Sequence, residues 1–522
     1  MTRTKSRLAL GASIAALALG LAAAQADTPR QGGTIHVVVT PEPPSIVTGL
    51  FTNTPTQMVG GGMFESLLMY SPELEPMPSL AHSWEISDDE LQYTFNLRQD
   101  VRWHDGEPFT ADDVMFSLED FLVQVNARWR NTRQTHIDTI EKLSDHQVRI
   151  TLKHPFDPLI LSFENGTTPI MARHIYEGTD FASNPMNQTP VGTGPMRFNE
   201  WRAGSFVHLV RNEDYYLDGK PHVDEVFYRF IPDAASRAIA FETGDVDVLT
   251  GGALEVHDVR RLEAREDTCV TTAGWELFAP LSYVQMNVRS GPLANPTFRQ
   301  GLMYALDREF IRDAIWSGFG EVATGPISSR TRFHTDDVRH YDFDPDRARE
   351  LIAEAGYDGE RLRYMVVPYG EIWTRTAEIV RQNFADVGVT VDLVSSDPAG
   401  WNQRVRDGDF ELTNNWPYQF GDPALGVSRM WISSAIDAGT PFSNVGGFSN
   451  AEVDRLFAEG AVAPAGDRPA IYAEIQQILT EDLPALWSVD IEFPTVYRCD
   501  VRDFVTTATG ANEAMRTVWL DR

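Results

Sequence analysis

The 522-residue chain is poor in cysteine, in long apolar runs and in positive charge. Its only thiols, Cys269 and Cys499, are too few and too far apart for a CxxC-type metal site. In an oxidising compartment an even number permits one bridge; the alternative is two separate buried thiols behaving as small hydrophobes. A bridge would tie the C-terminal segment to a distant upstream stretch, so both residues would belong to one lobe. Past residue 23 no stretch approaches the roughly 20 apolar residues that a spanning helix needs. Lys and Arg total 44 against 75 Asp and Glu, a formal charge of −31, which argues against nucleic acid and anionic membranes as partners. There is no GxSxG elbow, no HExxH and no GxxxxGK[ST] loop, so no catalytic residue, metal ligand or cofactor is predicted.

What is present begins with an export signal. Arg3, Lys5 and Arg7 precede an Ala/Leu-rich run over 8–23, and Ala24-Gln25-Ala26 places small residues where a signal peptidase reads them. Cleavage is predicted after Ala26, leaving Asp27 first in a free periplasmic protein; no Cys follows the run to take a lipid. An exported chain has no cytosolic ATP or NADH, which leaves binding or extracellular hydrolysis. Its length exceeds what one core usually organises, so at least two lobes are expected.

The first half reads as α+β, with strands over 34–40, 93–97, 148–152, 197–200 and 206–211. Thr110 and Asp113 form a capping box for one helix, and Asp233-Ala234 opens another that ends at Gly244. From about 284, helices alternate with strands. Asn295-Pro296 caps a helix carrying Leu302, Leu306 and Phe310, and Asp344-Pro345 starts one stopped by Gly356. Strands over 362–367, 389–393 and 410–414, with helices at 373–387, 451–461 and 469–481, predict a largely parallel sheet whose ligand sits near 414–422. A strand over 493–497 would return to the first lobe.

Other features carry little chemistry. Val191-Gly192-Thr193-Gly194-Pro195 lacks the Lys of a phosphate loop and reads as a turn into a strand. His334 and His340 lack a third ligand, and Asp112-Asp113 and Asp336-Asp337 fall at helix starts or in loops. Trp103-His104-Asp105-Gly106 reads as a buried turn held by side-chain hydrogen bonds.

One ordered series of short motifs spans nearly the whole chain. It includes Gly32-Gly33-Thr34, Phe64-Glu65-Ser66-Leu67, Pro78-Ser79-Leu80-Ala81 with Trp84, and Trp103-His104-Asp105-Gly106 with Ala111-Asp112-Asp113-Val114. It continues through 191–196, Arg211-Asn212 with Tyr215, 232–237, Gly244-Asp245-Val246-Asp247, Phe298-Arg299-Gln300 with Ala305-Leu306-Asp307-Arg308-Glu309, and 353–357. In these the chain resembles family 5, the peptide/nickel-binding type, of periplasmic solute-binding proteins that serve ABC importers. The resemblance implies a two-lobed α/β binding protein with an extra subdomain inserted in the first lobe. Its divisions would be 1–26 leader, 27–59 and 188–283 first lobe, 60–187 insertion, 284–492 second lobe and 493–522 first-lobe return, with hinges near 284 and 492. Cys269 and Cys499 would then share the first lobe. The implied partners are a small solute and an inner-membrane permease or, alternatively, a sensory receptor; the implied state is a monomer.

By the same resemblance, Thr52, Asn53 and Thr54 from the first lobe and Trp416, Pro417, Tyr418 and Gln419 from the second would hold the ligand. Peptide binders place an Asp where this chain has Gln419, and dipeptide binders an Arg where it has Val367. A buried charge without its partner is costly, so a zwitterionic dipeptide is disfavoured. Asp422 is the candidate substitute receptor for an ammonium group, with a cap or turn role as the alternative. Trp373, Trp401, Trp416, Tyr418 and Trp431 also allow stacking on an oligosaccharide or glycoside, against the alternative that they are core. A secreted hydrolase is the distant rival.

Overall fold

The structure is a computed structural model that describes residues 28–436 and 439–522; the predicted leader and its cleavage point lie outside them. Three main sheets organise the chain. The first has seven strands in the order Thr268–Thr271, Thr495–Arg498, Val248–Leu249, Thr34–Val38, Glu225–Arg229, Phe206–Arg211 and Met196–Arg202. Thr34–Val38 lies at its centre, parallel to both neighbours, with Ile35, Val37 and Val38 buried as a strand covered on both faces requires. The second sheet has six strands in the order Glu321–Val322, Ala485–Asp490, Leu281–Met286, Leu412–Asn415, Leu362–Met365 and Val391–Val394. A smaller antiparallel sheet, Ala81–Ile86, Gln92–Leu97, Gln147–Leu152 and Ile137–Ser144, packs on the first lobe and shares its hydrophobic core. The second sheet has a core of its own. The result is a two-lobed α/β molecule with an extra sheet built into the first lobe.

Local capping chemistry acts where the sequence placed it. Asn295, Asp344 and Asp233 accept from backbone N–H groups at the starts of Pro296–Ala305, Pro345–Glu354 and Ala234–Thr243. Thr110 and Asp113 close a reciprocal box at Ala111–Phe116. Gly244 ends its helix at φ 83°, a left-handed conformation that costs glycine nothing.

Two expectations are corrected. The second sheet is mixed: only the pairings of Leu362–Met365 with its two neighbours are parallel, and Leu281–Met286 runs antiparallel to both of its neighbours. Local βαβ order governs the 362–415 region alone, whereas Leu281–Met286 enters from one crossing between the lobes and Ala485–Asp490 leads out into the other. The single helix through Leu302, Leu306 and Phe310 is two helices, Pro296–Ala305 and Arg308–Trp316. Asp307 accepts from the Phe310 N–H at 2.9 Å and restarts the helix, which turns Phe310 outward to 51% exposure. Among the described residues no helix is long and apolar enough to cross a membrane.

Candidate ligand-binding cleft

The lobes face each other across a cleft of about 380 Å³. Thr40 and Pro41 come from beyond the carboxyl end of Thr34–Val38, and Gly252 to Glu255 from beyond Val248–Leu249. The second lobe contributes Tyr369 to Trp373, past the end of Leu362–Met365, and Trp416, directly after Leu412–Asn415. Four strand ends of two sheets therefore meet there, the position where α/β sheets leave backbone groups and side chains free for a ligand. Phe493 and Pro494, on the return crossing, close the back.

Aromatic rings build the second-lobe wall. Trp373 and Trp416 are stacked, with centroids 4.3 Å apart and planes at 23°. The edges of Tyr369 and Phe442 meet Trp416, each at 6.1 Å. Trp316 meets Trp373 at 6.0 Å and Phe493 at 5.9 Å, so the stack is braced from the hinge side. Trp373 is buried, whereas Trp416 remains half-buried and lines the cleft.

The other residues singled out from sequence divide into three groups. Thr54 and Tyr418 meet across the lobes, hydroxyl to hydroxyl at 3.4 Å, while Thr52 and Asn53 are exposed and Asn53 caps Thr54–Gly60. Gln419 is inward: its carbonyl accepts from the Ser328 N–H at 2.9 Å and its amide donates to the Pro326 carbonyl at 3.1 Å, so it presents no free group. Pro417 is buried beside it, with its carbonyl turned to the Leu281 N–H. Trp401 and Trp431 belong to the core: Trp401 donates to Thr413 Oγ1 at 3.1 Å, and Trp431 packs on Tyr283 and Trp487. Stacking on a ligand therefore narrows to Trp416 and its neighbour Tyr369.

Asp422 takes the cap role that stood as the alternative to an ammonium receptor. It is fully buried, caps Pro423–Gly426 through the Ala424 N–H, and accepts from Arg468 Nη2 at 2.7 Å. Arg468, equally buried, donates Nη1 to Asp157 at 2.8 Å and Nε to the Gly460 carbonyl at 2.9 Å, and Arg332 reaches the same Asp157 oxygen at 3.0 Å. Burial pushes the Asp422 carboxyl up and Arg468 pulls it back, but its negative charge is already matched. Its Oδ2 has no hydrogen-bond partner and lies 3.8 Å from Arg332 Nη1, but the side chain is fully buried and does not line the cleft, so it does not face a ligand ammonium. Asp157 lies in the inserted region and the two arginines in the second-sheet half, so the group is a clasp between the halves.

Cleft residues not singled out as site candidates from sequence are Arg237, Glu255, Tyr369, Glu371, Trp316 and Phe493. The strand-end rule, applied to every strand instead of to 414–422 alone, points to Glu255, Tyr369 and Glu371; nothing local marks Trp316 or Phe493. Among the described residues no cluster of three or more His, Cys, Asp or Glu is arranged to hold a metal ion.

Comparison with known proteins identifies the family and the fold. Heme-binding protein A of Haemophilus influenzae is 28% identical over 470 residues, covering 85% of this chain and 83% of its own. The dipeptide-binding protein of Escherichia coli K12 is 25% identical, covering 84% and 85%. The crystal structure of the ABC transporter substrate binding protein CtaP from Listeria monocytogenes superposes with a TM-score of 0.83 at 26% identity, covering 94% of this chain and all of that one. The profile of bacterial extracellular solute-binding proteins, family 5 (middle), matches residues 75–438. The chain belongs to this family of solute-binding proteins of ABC importers, and it is a binding protein, not an enzyme.

Proposed function

We propose that the protein works as a monomer in the periplasm, released by cleavage after Ala26, and captures a peptide or peptide-like solute between its lobes for delivery to an inner-membrane permease. The observation that carries this reading is the cleft itself, walled by strand ends of both sheets and floored by the Trp373–Trp416 stack. We place the hinge in the two segments that join the sheets, 272–280 and 491–494; the strand Leu281–Met286 runs through the 283/284 boundary suggested by sequence. Free dipeptides are poor candidates, because Gln419 is engaged internally and Val367 is buried and apolar. The second reading, an oligosaccharide or glycoside, is favoured by the half-buried Trp416 ring.

A thermal-shift panel of free dipeptides, blocked peptides and oligosaccharides against wild type and Trp416→Ala tests the assignment. A ligand present at 100 times its dissociation constant adds about 2.7 kcal/mol to stability when it binds only the folded form. Stabilisation by blocked peptides that weakens in Trp416→Ala supports the reading. An oligosaccharide with that behaviour replaces peptides as the ligand class, and equal stabilisation of both proteins by every hit removes Trp416 from the site.

A further inference from the structure

We propose that the interlobe cleft selects a ligand bearing positive charge, received by Glu255 of the first lobe and Glu371 of the second, with the Trp416 ring as the surface on which the cation or its stem rests. This rests on the reading of the cleft as the ligand site. Three charged side chains line it: Arg237, Glu255 and Glu371. Arg237 is buried and turned to the backbone, donating to the carbonyls of Ile231 at 2.7 Å, of Pro232 at 2.6 Å and of Ala253. Its role is to hold the loop that carries Glu255. Among the described residues neither glutamate makes a salt bridge, and neither serves as a side-chain helix cap, although each stands at a helix start, Val256–Glu263 and Glu371–Asp386. Even with Arg237 counted, the lining holds two carboxylates to one guanidinium.

Two further facts point the same way. The position at which a peptide binder's acid would meet an ammonium holds Gln419, and the nearby Asp422 is consumed by Arg468. The charge that the Trp416–Asp422 segment lacks is supplied by Glu255 and Glu371. These two come from opposite lobes, so closing the cleft brings like charges toward one space, and a bound cation offsets both. Binding of a cation thus favours the closed state over the open one, which is the differential affinity that closure needs. The aromatic wall suits the same ligand: a guanidinium or ammonium over an indole face gains cation–π attraction, and an anion there would meet two carboxylates and a ring face of the wrong sign.

The test uses the blocked tripeptides Ac-Ala-Arg-Ala-NH2, Ac-Ala-Gln-Ala-NH2 and Ac-Ala-Glu-Ala-NH2, with agmatine as a cation that is not a peptide. Titration calorimetry is run on wild type, Glu255→Gln, Glu371→Gln and the double variant at low and physiological salt. The expected result is that the Arg peptide binds tightest, loses about tenfold in affinity with each substitution, and weakens with salt. The Gln peptide should not respond to the substitutions. Tripeptides bound without regard to charge, or a preference for Arg that survives in the double variant, overturn the inference and leave the peptide reading standing. Agmatine bound in a glutamate-dependent way while every tripeptide fails supports the cationic site and overturns the peptide reading. No binding by either cation overturns the inference.

Discussion

His104 shows how one side chain ties the stability of this protein to pH. Its Nδ1 accepts from the Gly192 N–H at 3.2 Å and its Nε2–H donates to the Gly194 carbonyl at 3.0 Å, an arrangement that requires the neutral ring. Burial lowers its pKa to about 4, with the Gly194 carbonyl opposing. His136, stacked on Phe156 at 3.7 Å, is also lowered to about 4 by burial. An unfolded histidine titrates near 6.5, so between pH 6.5 and 4 the unfolded chain binds the extra proton. The stabilisation is complete above pH 6.5 and is lost as pH falls toward 4, by about 3 kcal/mol for a shift of this size. Urea midpoints at pH 7.5, 6 and 4.5 should therefore fall with acidification, and His104→Gln should fall less steeply. Parallel profiles for the two proteins would refute this account. The same bonds explain why Trp103-His104-Asp105-Gly106 is a structural turn: it docks the inserted sheet onto the 192–194 strand entry, with Asp105 held by His174 at 2.8 Å.

Between elements, the clasp of Asp157, Arg332, Arg468 and Asp422 joins the 3₁₀ turn Asp157–Ser162 to helices Pro423–Gly426 and Arg468–Asp482. Arg468→Met leaves Asp422 buried without its cation, a change that typically costs about 3–5 kcal/mol, and should lower the melting temperature sharply. Asp157 is partly exposed, so Asp157→Asn should leave the fold intact and bias the lobes toward opening. A bias of about 1 kcal/mol weakens ligand affinity roughly fivefold. Unchanged affinity in Asp157→Asn would mean that the clasp has no part in closure. This clasp also marks where the sequence stops being legible. Helix starts at Asn295, Asp344 and Thr110 are readable because cap and partner lie within three residues. Arg468 and Asp157 are 311 positions apart, and Gln419 finds Ser328 across 91, so no local pattern announces either contact. The direction of Leu281–Met286 was hidden for the same reason. The five aromatic candidates look alike in sequence, and only packing separates Trp401 and Trp431, which lie in the core, from Trp416, which reaches the cleft.

Across the whole molecule, the chain passes between lobes at 272–280 and 491–494, and the strands on the first-lobe side of these passages, Thr268–Thr271 and Thr495–Arg498, are hydrogen-bonded neighbours. Cys269 and Cys499 are disulfide-bonded there, 230 positions apart in sequence. Closing a loop this long stabilises by up to about 5 kcal/mol in the chain-entropy account, so reduction should lower the urea midpoint. Thiol titration of denatured, unreduced protein should find no free thiol; two would refute the bridge. Because the bridge lies within one sheet, it fastens the two strands to each other without fastening one lobe to the other. The lobes are joined by polar contacts, Thr54 to Tyr418, Arg260 to the Ser317 carbonyl at 2.9 Å and the clasp, and by an apolar seam in which Phe420, Ala424, Leu425 and Ala461 pack on the first-lobe core. The polar contacts can open and remake as the lobes swing about the two crossings, a hinge motion that also uncovers part of the apolar seam around Phe420. Small-angle scattering should therefore show a smaller radius of gyration with ligand than without. The ligand-induced change should be the same in a Cys269→Ser/Cys499→Ser variant, despite its lower stability. A compaction that vanishes with the bridge would place the hinge within the first sheet, and an equal radius with and without ligand would show that binding leaves the lobes where they are.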